Sequence, residues 1–266
     1  MNENSTLKLG VTQWTLDVRG VATVARAATL KFSYLQLDAG GWAGWPEKLT
    51  DQKDLYQEAS EQTGVELIGI GLNPLNEISL LAPVGSHELK KAVKLISDSI
   101  EVAKYLKIPL VYVPSFNASE MKKDQDIAQT AAVLADLAVM ASSYHIELAS
   151  ENTLSARQQL KLLDETHGSP LKLFIDSQNP VIFGHDVAEL LRKLKDHICQ
   201  QMHLKDGKDG IMGNCPLGEG GAKFQQTVGM IRMLELNPIF VFENEYAEDT
   251  VGRVSKDKGT VARLFV

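Results

Sequence analysis

Short apolar runs alternate along the chain with longer segments of helical period. The runs are rich in Val, Ile and aromatic residues and are bounded by polar or glycine-containing stretches, the pattern of strands. Eight are predicted: Leu7–Thr12, Tyr34–Asp38, Glu66–Leu72, Leu110–Val113, Ile146–Glu151, Leu171–Asp176, Gln201–Leu204 and Ile239–Glu243. Continuous apolar runs such as Ile239-Phe240-Val241-Phe242 suit strands covered on both faces, as in a parallel sheet.

The intervening segments carry apolar stripes at helical spacing. Asp126–Tyr144 places Ile127, Ala131, Leu134, Ala138 and Ala141 on one side, and His87–Leu106 places Leu89, Val93, Ile96, Ile100 and Ala103. Ser155 with Gln158 reads as a capping box, and Asp186 with Glu189 as a similar start, followed by a stripe of Val187, Leu190, Leu191 and Leu194. Ala22–Leu30, Asp54–Thr63, Gln225–Leu236 and Thr250–Leu264 complete the helices. Strands and helices alternating eightfold over this length have the size and rhythm of a (β/α)8 barrel. A single barrel domain over residues 1–266 is therefore expected. The competing fold, an open doubly wound sheet, lacks its glycine fingerprint, because the first strand runs into Gly10-Val11-Thr12-Gln13-Trp14.

Composition narrows the functional classes. Of 266 residues, 44% are apolar, enough for a full core. No apolar run approaches the roughly 18 residues of a spanning helix. The N-terminal MNENSTLKLG lacks the basic and apolar regions of a secretion signal. Two cysteines, Cys199 and Cys215, cannot build a disulfide framework or a thiolate metal cage. A reduced, cytoplasmic, soluble protein is expected, and the Asn4 and Asn117 sequons then carry no meaning. A net charge of -7 argues against a nucleic-acid partner but not against a small anionic substrate.

In a barrel of this kind the active site lies at the carboxyl ends of the strands. Strand five ends in Ser150-Glu151-Asn152, strand six in Ile175-Asp176, strand seven in His203-Leu204-Lys205-Asp206 and strand eight in Glu243-Asn244-Glu245. Adjacent strands lie about 4.8 Å apart, so Glu151, Asp176, His203 and Glu243 can converge. An oxygen-rich set with one imidazole suits a divalent metal, Mn²⁺ or Mg²⁺ first, with Co²⁺ and Zn²⁺ as alternatives. Each residue also has a plain structural reading. Asp176 could be only a helix N-cap, and His203 only a satisfied core histidine. Burying several carboxylates without a cation is costly, which favours the metal. Glu245 is the rival of Glu243, having the same parity if the strand continues.

These residues and their spacing resemble the xylose-isomerase-like sugar isomerases and epimerases, of the sugar phosphate isomerase/epimerase type. The resemblance spans nearly the whole chain. It rests on Glu151-Asn152, Asp176-Ser177-Gln178-Asn179, His203-Leu204-Lys205-Asp206, Gly218-Glu219-Gly220 and Glu243, each placed after a successive strand. It implies a divalent metal held by Glu151, Asp176, His203 and Glu243, with Glu151 and Glu243 doubling as acid and base. It also implies a small-molecule sugar substrate and a homodimer or homotetramer. Proton removal beside a carbonyl, through a metal-stabilised cis-enediolate, would then give epimerisation or aldose–ketose isomerisation. A dehydratase of a cyclic polyol ketone and a non-catalytic sugar-binding barrel are the alternatives. A three-zinc DNA-repair nuclease needs more strand-end histidines than the six of this chain provide, and a basic groove.

The chain departs from the family pattern at Thr153, Asn179 and Asp38, where many members carry His, His and Glu. Candidate substrate contacts are Asn179, Trp14, Trp42, Lys205 and Glu219. Gln13 could line the pocket beside Trp14. Trp42 and Trp45, in a Gly-rich loop, could pack on a sugar's apolar face or cap the barrel as structure. Lys205 could bind a substrate oxygen, but pairing with Asp206 is the stronger expectation. Gly218–Gly221 could cradle a phosphate through its amides, which Glu219 in its middle disfavours, so an unphosphorylated substrate is expected. His145 is expected to be structural, and His185 could be either.

Overall fold

Parallel pairing runs in chain order from β1 to β8, and β8 closes on β1 in the computed structural model, which describes residues 7–265. The strands are β1 Leu9–Thr12, β2 Tyr34–Asp38, β3 Glu66–Gly71, β4 Leu110–Ser115, β5 Glu147–Asn152, β6 Lys172–Asp176, β7 Ile198–Leu204 and β8 Ile239–Phe242. The helices are α1 Ala22–Thr29, α2 Leu49–Thr63, α3 His87–Leu106, α4 Asp124–Ser143, α5 Ala156–Asp164, α6 Asn179–Ile182, α7 Val187–Leu194, α8 Phe224–Met233 and α9 Thr250–Phe265. This is the expected (β/α)8 barrel. The reading of the N-terminal segment 1–6, with its Asn4 sequon, lies outside the described residues. Among the described residues, no helix is long and apolar enough to cross a membrane.

The helical stripes bury as their spacing requires. Ile127, Ala131, Leu134 and Ala141 of α4 are fully buried, as are Ile96, Ile100 and Ala103 of α3. They belong to the large cluster between helices and strands. Ser155 and Gln158 form the reciprocal capping box at α5. At α7 only half of the expected box exists: Asp186 accepts from the Glu189 amide, but Glu189 turns to Lys193. Strand β7 starts at Ile198, three residues before the expected Gln201, and two helices also differ from the sequence reading. Helix α2 starts five residues before Asp54, because buried Leu49 anchors a first turn that is otherwise polar. The short α6 has no apolar stripe, and a carboxylate from β6 organises its first amides.

A second, smaller cluster of Leu110, Tyr112, Ala149, Phe174 and Cys199 forms the barrel interior, with Trp14 against it. Space for it comes from β3. A Cβ on Gly71 would stand 2.4 Å from the Tyr112 hydroxyl oxygen and 3.2 Å from the Trp14 ring. A Cβ on Gly69 would stand 3.1 Å from Gln36 Cγ. Glycine here serves interior packing rather than backbone freedom.

Gly71→Ala therefore overpacks the interior and should cost about 1–3 kcal/mol in urea unfolding. The Tyr112 hydroxyl is buried without a hydrogen-bond partner. Tyr112→Phe should be close to neutral alone and should recover part of the loss in the double variant. Equal losses with and without Tyr112→Phe would show that the collision lies elsewhere.

Candidate active site

Strand register brings the polar strand ends together. Asp176 on β6 and His203 on β7 are direct partners in the parallel ladder, and Ile175 pairs with Met202 beside them. Alternation along β7 sends Gln201, His203 and Lys205 inward. Met202 and Leu204 join the outer core. His203 is fully buried. Its ring lies 4.5 Å from Phe174, 5.4 Å from Tyr112 and 6.3 Å from Trp14, centroid to centroid.

His203 Nδ1 faces three carboxylates. It stands 3.0 Å from Glu243 Oε2, 3.7 Å from Glu151 Oε1 and 3.9 Å from Asp176 Oδ2. Glu151, Asp176 and His203 each offer a ligand atom within 4.8 Å of the others. Nδ1 and Asp176 Oδ2 are buried without a hydrogen-bond partner, as is Asn179 Oδ1. Asp176 reconciles its two readings. Its Oδ1 accepts the amides of Gln178 and Asn179 at 2.6 and 2.5 Å, while Oδ2 points into the cup. Glu243 rather than Glu245 reaches His203, because β8 ends at Phe242 and Glu245 turns out to solvent.

Lys205 enters the cup with His203, which corrects the expected pairing with Asp206. Its Nζ donates to Glu243 Oε2 at 2.6 Å and lies 3.4 Å from Asp176 Oδ2. Asp206 points the other way and accepts the amides of Gly207, Gly218, Gly220 and Ala222 at 2.9–3.0 Å. The Gly218 and Gly220 amides, which could have cradled a phosphate, are thus held by an internal carboxylate, in line with the unphosphorylated substrate expected. Glu219 does not reach the site: it pairs with Lys256 at 2.7 Å on the surface, its side chain 46% exposed.

The charges respond to one another. Burial works against a charged His203, but Glu243 and Glu151 outweigh it and lift the imidazole to about 10. Burial likewise opposes the Lys205 ammonium, and Asp176 and Glu243 reverse the effect, raising it. Burial pushes Asp176 up to about 6 against the pull of Lys205. Glu243 also suffers burial, yet His203 and Lys205 hold it below the usual carboxylate range. With His203 and Lys205 both protonated, two positive charges face three carboxylates, and a divalent cation would take the place of the Nδ1 proton, leaving three carboxylates against one ammonium. Two remain uncompensated, which matches a divalent cation.

The other sequence candidates fall into place around the cup. Trp14 Nε1 donates to Glu243 Oε1 at 3.1 Å. Asn179 Nδ2 donates to Glu151 Oε1 at 3.1 Å. Trp42 donates to Asp38 Oδ1 at 3.2 Å and is not in the cup. Its ring covers Gly44, where a Cβ would stand 2.3 Å away. Gln13 is structural: it is fully buried, bonds Tyr56 and Thr23, and accepts the Asp38 amide. His185 bonds the Thr153 carbonyl at 2.9 Å. Sequence reasoning missed Gln36, Gln201 and Tyr112. Gln36 and Gln201 carried a signal, a polar residue inside an apolar strand two positions before Asp38 on β2 and His203 on β7.

The closed barrel and its carboxylate–histidine cup define a class of protein, and comparison identifies the family. The chain belongs to the xylose isomerase-like TIM barrel family, whose profile matches residues 24–261. A similar curated protein is the 2-epi-5-epi-valiolone 7-phosphate 2-epimerase of Actinoplanes sp., 29% identical over 98% of this chain and 96% of that protein. Among solved structures, an L-ribulose 3-epimerase superposes with TM-score 0.76 at 16% identity, covering 98% of this chain and 95% of the other. The IOLI protein with a bound zinc atom superposes with TM-score 0.78 at 14% identity, covering 97% and 98%.

The buried carboxylate of Asp38, at the end of β2, carries a titration with a definite sign. Burial raises Asp38 to about 6, against the bonds from Gly40, Asn73 and Trp42 that favour its ionised form. An unfolded Asp titrates near 4. The folded state therefore holds this proton more tightly, and ionising Asp38 lowers stability as pH rises from about 4 to about 6, by up to about 3 kcal/mol. Asp38→Asn should remove that share. Wild-type stability minus variant stability, from urea midpoints, should fall across this window and level off above about pH 7. A difference that stays flat from pH 4 to 7 contradicts the assignment.

Proposed function

We propose that this chain is a divalent-metal-dependent sugar epimerase or isomerase that exchanges a proton on the carbon beside a carbonyl. The observation that carries the reading is the cup of Glu151, Asp176 and Glu243 around the unpartnered Nδ1 of His203. The curated relative and the L-ribulose 3-epimerase both act as epimerases by name, which favours epimerisation and a ketose or related ketone as substrate.

The donor set fits a divalent ion, and Glu151, Asp176, His203 and Glu243 are the residues that would hold it, Mn²⁺ before Mg²⁺, Co²⁺ or Zn²⁺. When bound, such an ion supplies Lewis-acid stabilisation of the negative charge that develops when a C–H beside a carbonyl is deprotonated.

The chain's own residues divide the remaining work. Glu151, on β5, and Glu243, just after β8, flank His203 and act as the two proton-transfer groups. Asn179 engages Glu151 Oε1, which fixes the carboxylate plane and leaves Oε2 for the substrate proton. Trp14 and Lys205 engage the two oxygens of Glu243 and hold it ionised. Lys205 also presents a second cation to substrate oxygens, because only Glu243 and Asp176 compete for it. Return of the proton to the opposite face of the same carbon inverts it, whereas return to the neighbouring carbon isomerises. The relative acts on a 7-phosphate. With the Gly218, Gly220 and Ala222 amides held by Asp206, a substrate phosphate would need a different grip in this chain.

Ketoses, their phosphates and inosose, incubated with Mn²⁺-loaded protein in D₂O, should acquire deuterium on the carbon beside the carbonyl, read by carbon-13 NMR. Glu151→Gln and Glu243→Gln should each lose roughly 10²–10⁴-fold in turnover. One of them should still exchange one epimer's proton without inversion. Turnover without solvent deuterium, or near-wild-type rates in both variants, would refute the two-glutamate reading.

A further inference from the structure

A buried chain of hydrogen bonds leads away from the far side of His203. The Ile68 carbonyl can only accept. Gln201 Nε2 donates to it at 2.7 Å, which turns Gln201 Oε1 toward Gln36. Gln36 Nε2 donates to that oxygen at 2.8 Å, which turns Gln36 Oε1 toward His203. His203 Nε2 lies 2.7 Å from Gln36 Oε1, so Nε2 must carry a proton and donate. Each amide is thereby oriented by the next, and a main-chain carbonyl fixes the first.

The fold makes room for this chain. The β2–β3 register shifts between Leu35 and Gln36: Leu35 pairs with Leu67, but Gln36 pairs with Gly69. Ile68 is the extra residue, and its carbonyl is free to serve Gln201. A Cβ on Gly69 would stand 3.1 Å from Gln36 Cγ and 3.2 Å from Gln201 Oε1. Gln36, Gln201 and His203 are all buried, so water does not compete for these groups.

We infer that Gln36 and Gln201 are positioning residues that lock the His203 ring with Nε2–H held from behind and Nδ1 presented to the cup as the metal ligand. Without the acceptor, the ring can turn over or exchange tautomers, and the lone pair no longer faces Glu151, Asp176 and Glu243. Gln36 meets His203 at Nε2, away from the cup-facing Nδ1, and Gln201 acts through Gln36. The inference rests on the reading of the cup as a metal centre.

The test is calorimetric titration of Mn²⁺ into metal-free protein, with melting curves confirming that each variant is folded. Gln36→Leu should weaken the Kd roughly 10- to 100-fold, as loss of a partner behind a ligating histidine usually does. Gln36→Glu keeps an oxygen against Nε2–H, although it loses the donor to Gln201 Oε1, and should bind more tightly than Gln36→Leu. Gln201→Leu, which leaves Gln36 free to invert, should fall between. In parallel, nitrogen-15 NMR of Zn²⁺-loaded wild type should show the His203 ring proton on Nε2 and the metal on Nδ1. Wild-type affinity in folded Gln36→Leu would overturn the inference, and so would a ring proton found on Nδ1. If Gln36→Leu fails to fold, the wild-type spectrum decides. A wild type that binds no metal would overturn the metal reading and this inference with it.

Discussion

Charge confined at the mouth of the barrel is the constraint around which this structure is arranged. Three carboxylates and one imidazole share a space in which no ligand atom is far from another. Repulsion among buried like charges is not screened as it is at a surface. The chain offsets part of it with Lys205, and part through the raised proton affinity of His203. Together these two cations still leave one carboxylate charge unbalanced. A divalent cation, on the proposed reading, would balance the remainder and at the same time satisfy Asp176 Oδ2 and His203 Nδ1, two buried atoms without a hydrogen-bond partner.

The barrel supplies this concentration of charge through simple geometry. Parallel strands in register put their last inward residues at one level, so Asp176 and His203 become neighbours by ladder pairing alone. Below them the interior has to be filled. The layer beneath is aromatic on one side, with Tyr112 and Phe174, and polar on the other, with Gln36 and Gln201. Glycines 69 and 71 on β3 admit both halves. Outside the cup, Asp206 gathers four backbone amides and stiffens the glycine-rich loop after β7. The same dipeptide thus sends one charge inward to the chemistry and the other outward to the scaffold.

Much of this was legible in the residues. The strands were readable because burial on both faces leaves apolar runs, and the long helices because a single buried stripe repeats along them. The polar residues that meet at the strand ends were readable because alternation and barrel closure leave few places for them to go. The exceptions have physical causes. Helix α2 was read too short because its first turn is polar apart from Leu49. Helix α6 was invisible because its start depends on a carboxylate from the preceding strand. Sequence adjacency points Lys205 to Asp206, whereas strand alternation puts the two on opposite sides. Glu219 looked functional between its glycines, but the loop is shaped by Asp206 behind it, and its own side chain faces Lys256. The glutamine chain behind His203 depends on a register shift between β2 and β3 that no local pattern reveals.

The central claim is that the cup is a cation site rather than a self-neutralised network of Lys205, His203 and three carboxylates. Anomalous diffraction from crystals of the protein grown with Mn²⁺ tests this most directly. The account predicts a single strong manganese peak bounded by Glu151, Asp176, His203 Nδ1 and Glu243, with Lys205 displaced from Asp176. A cup with no anomalous density, and Lys205 still bridging Glu243 and Asp176 at saturating Mn²⁺, would contradict it.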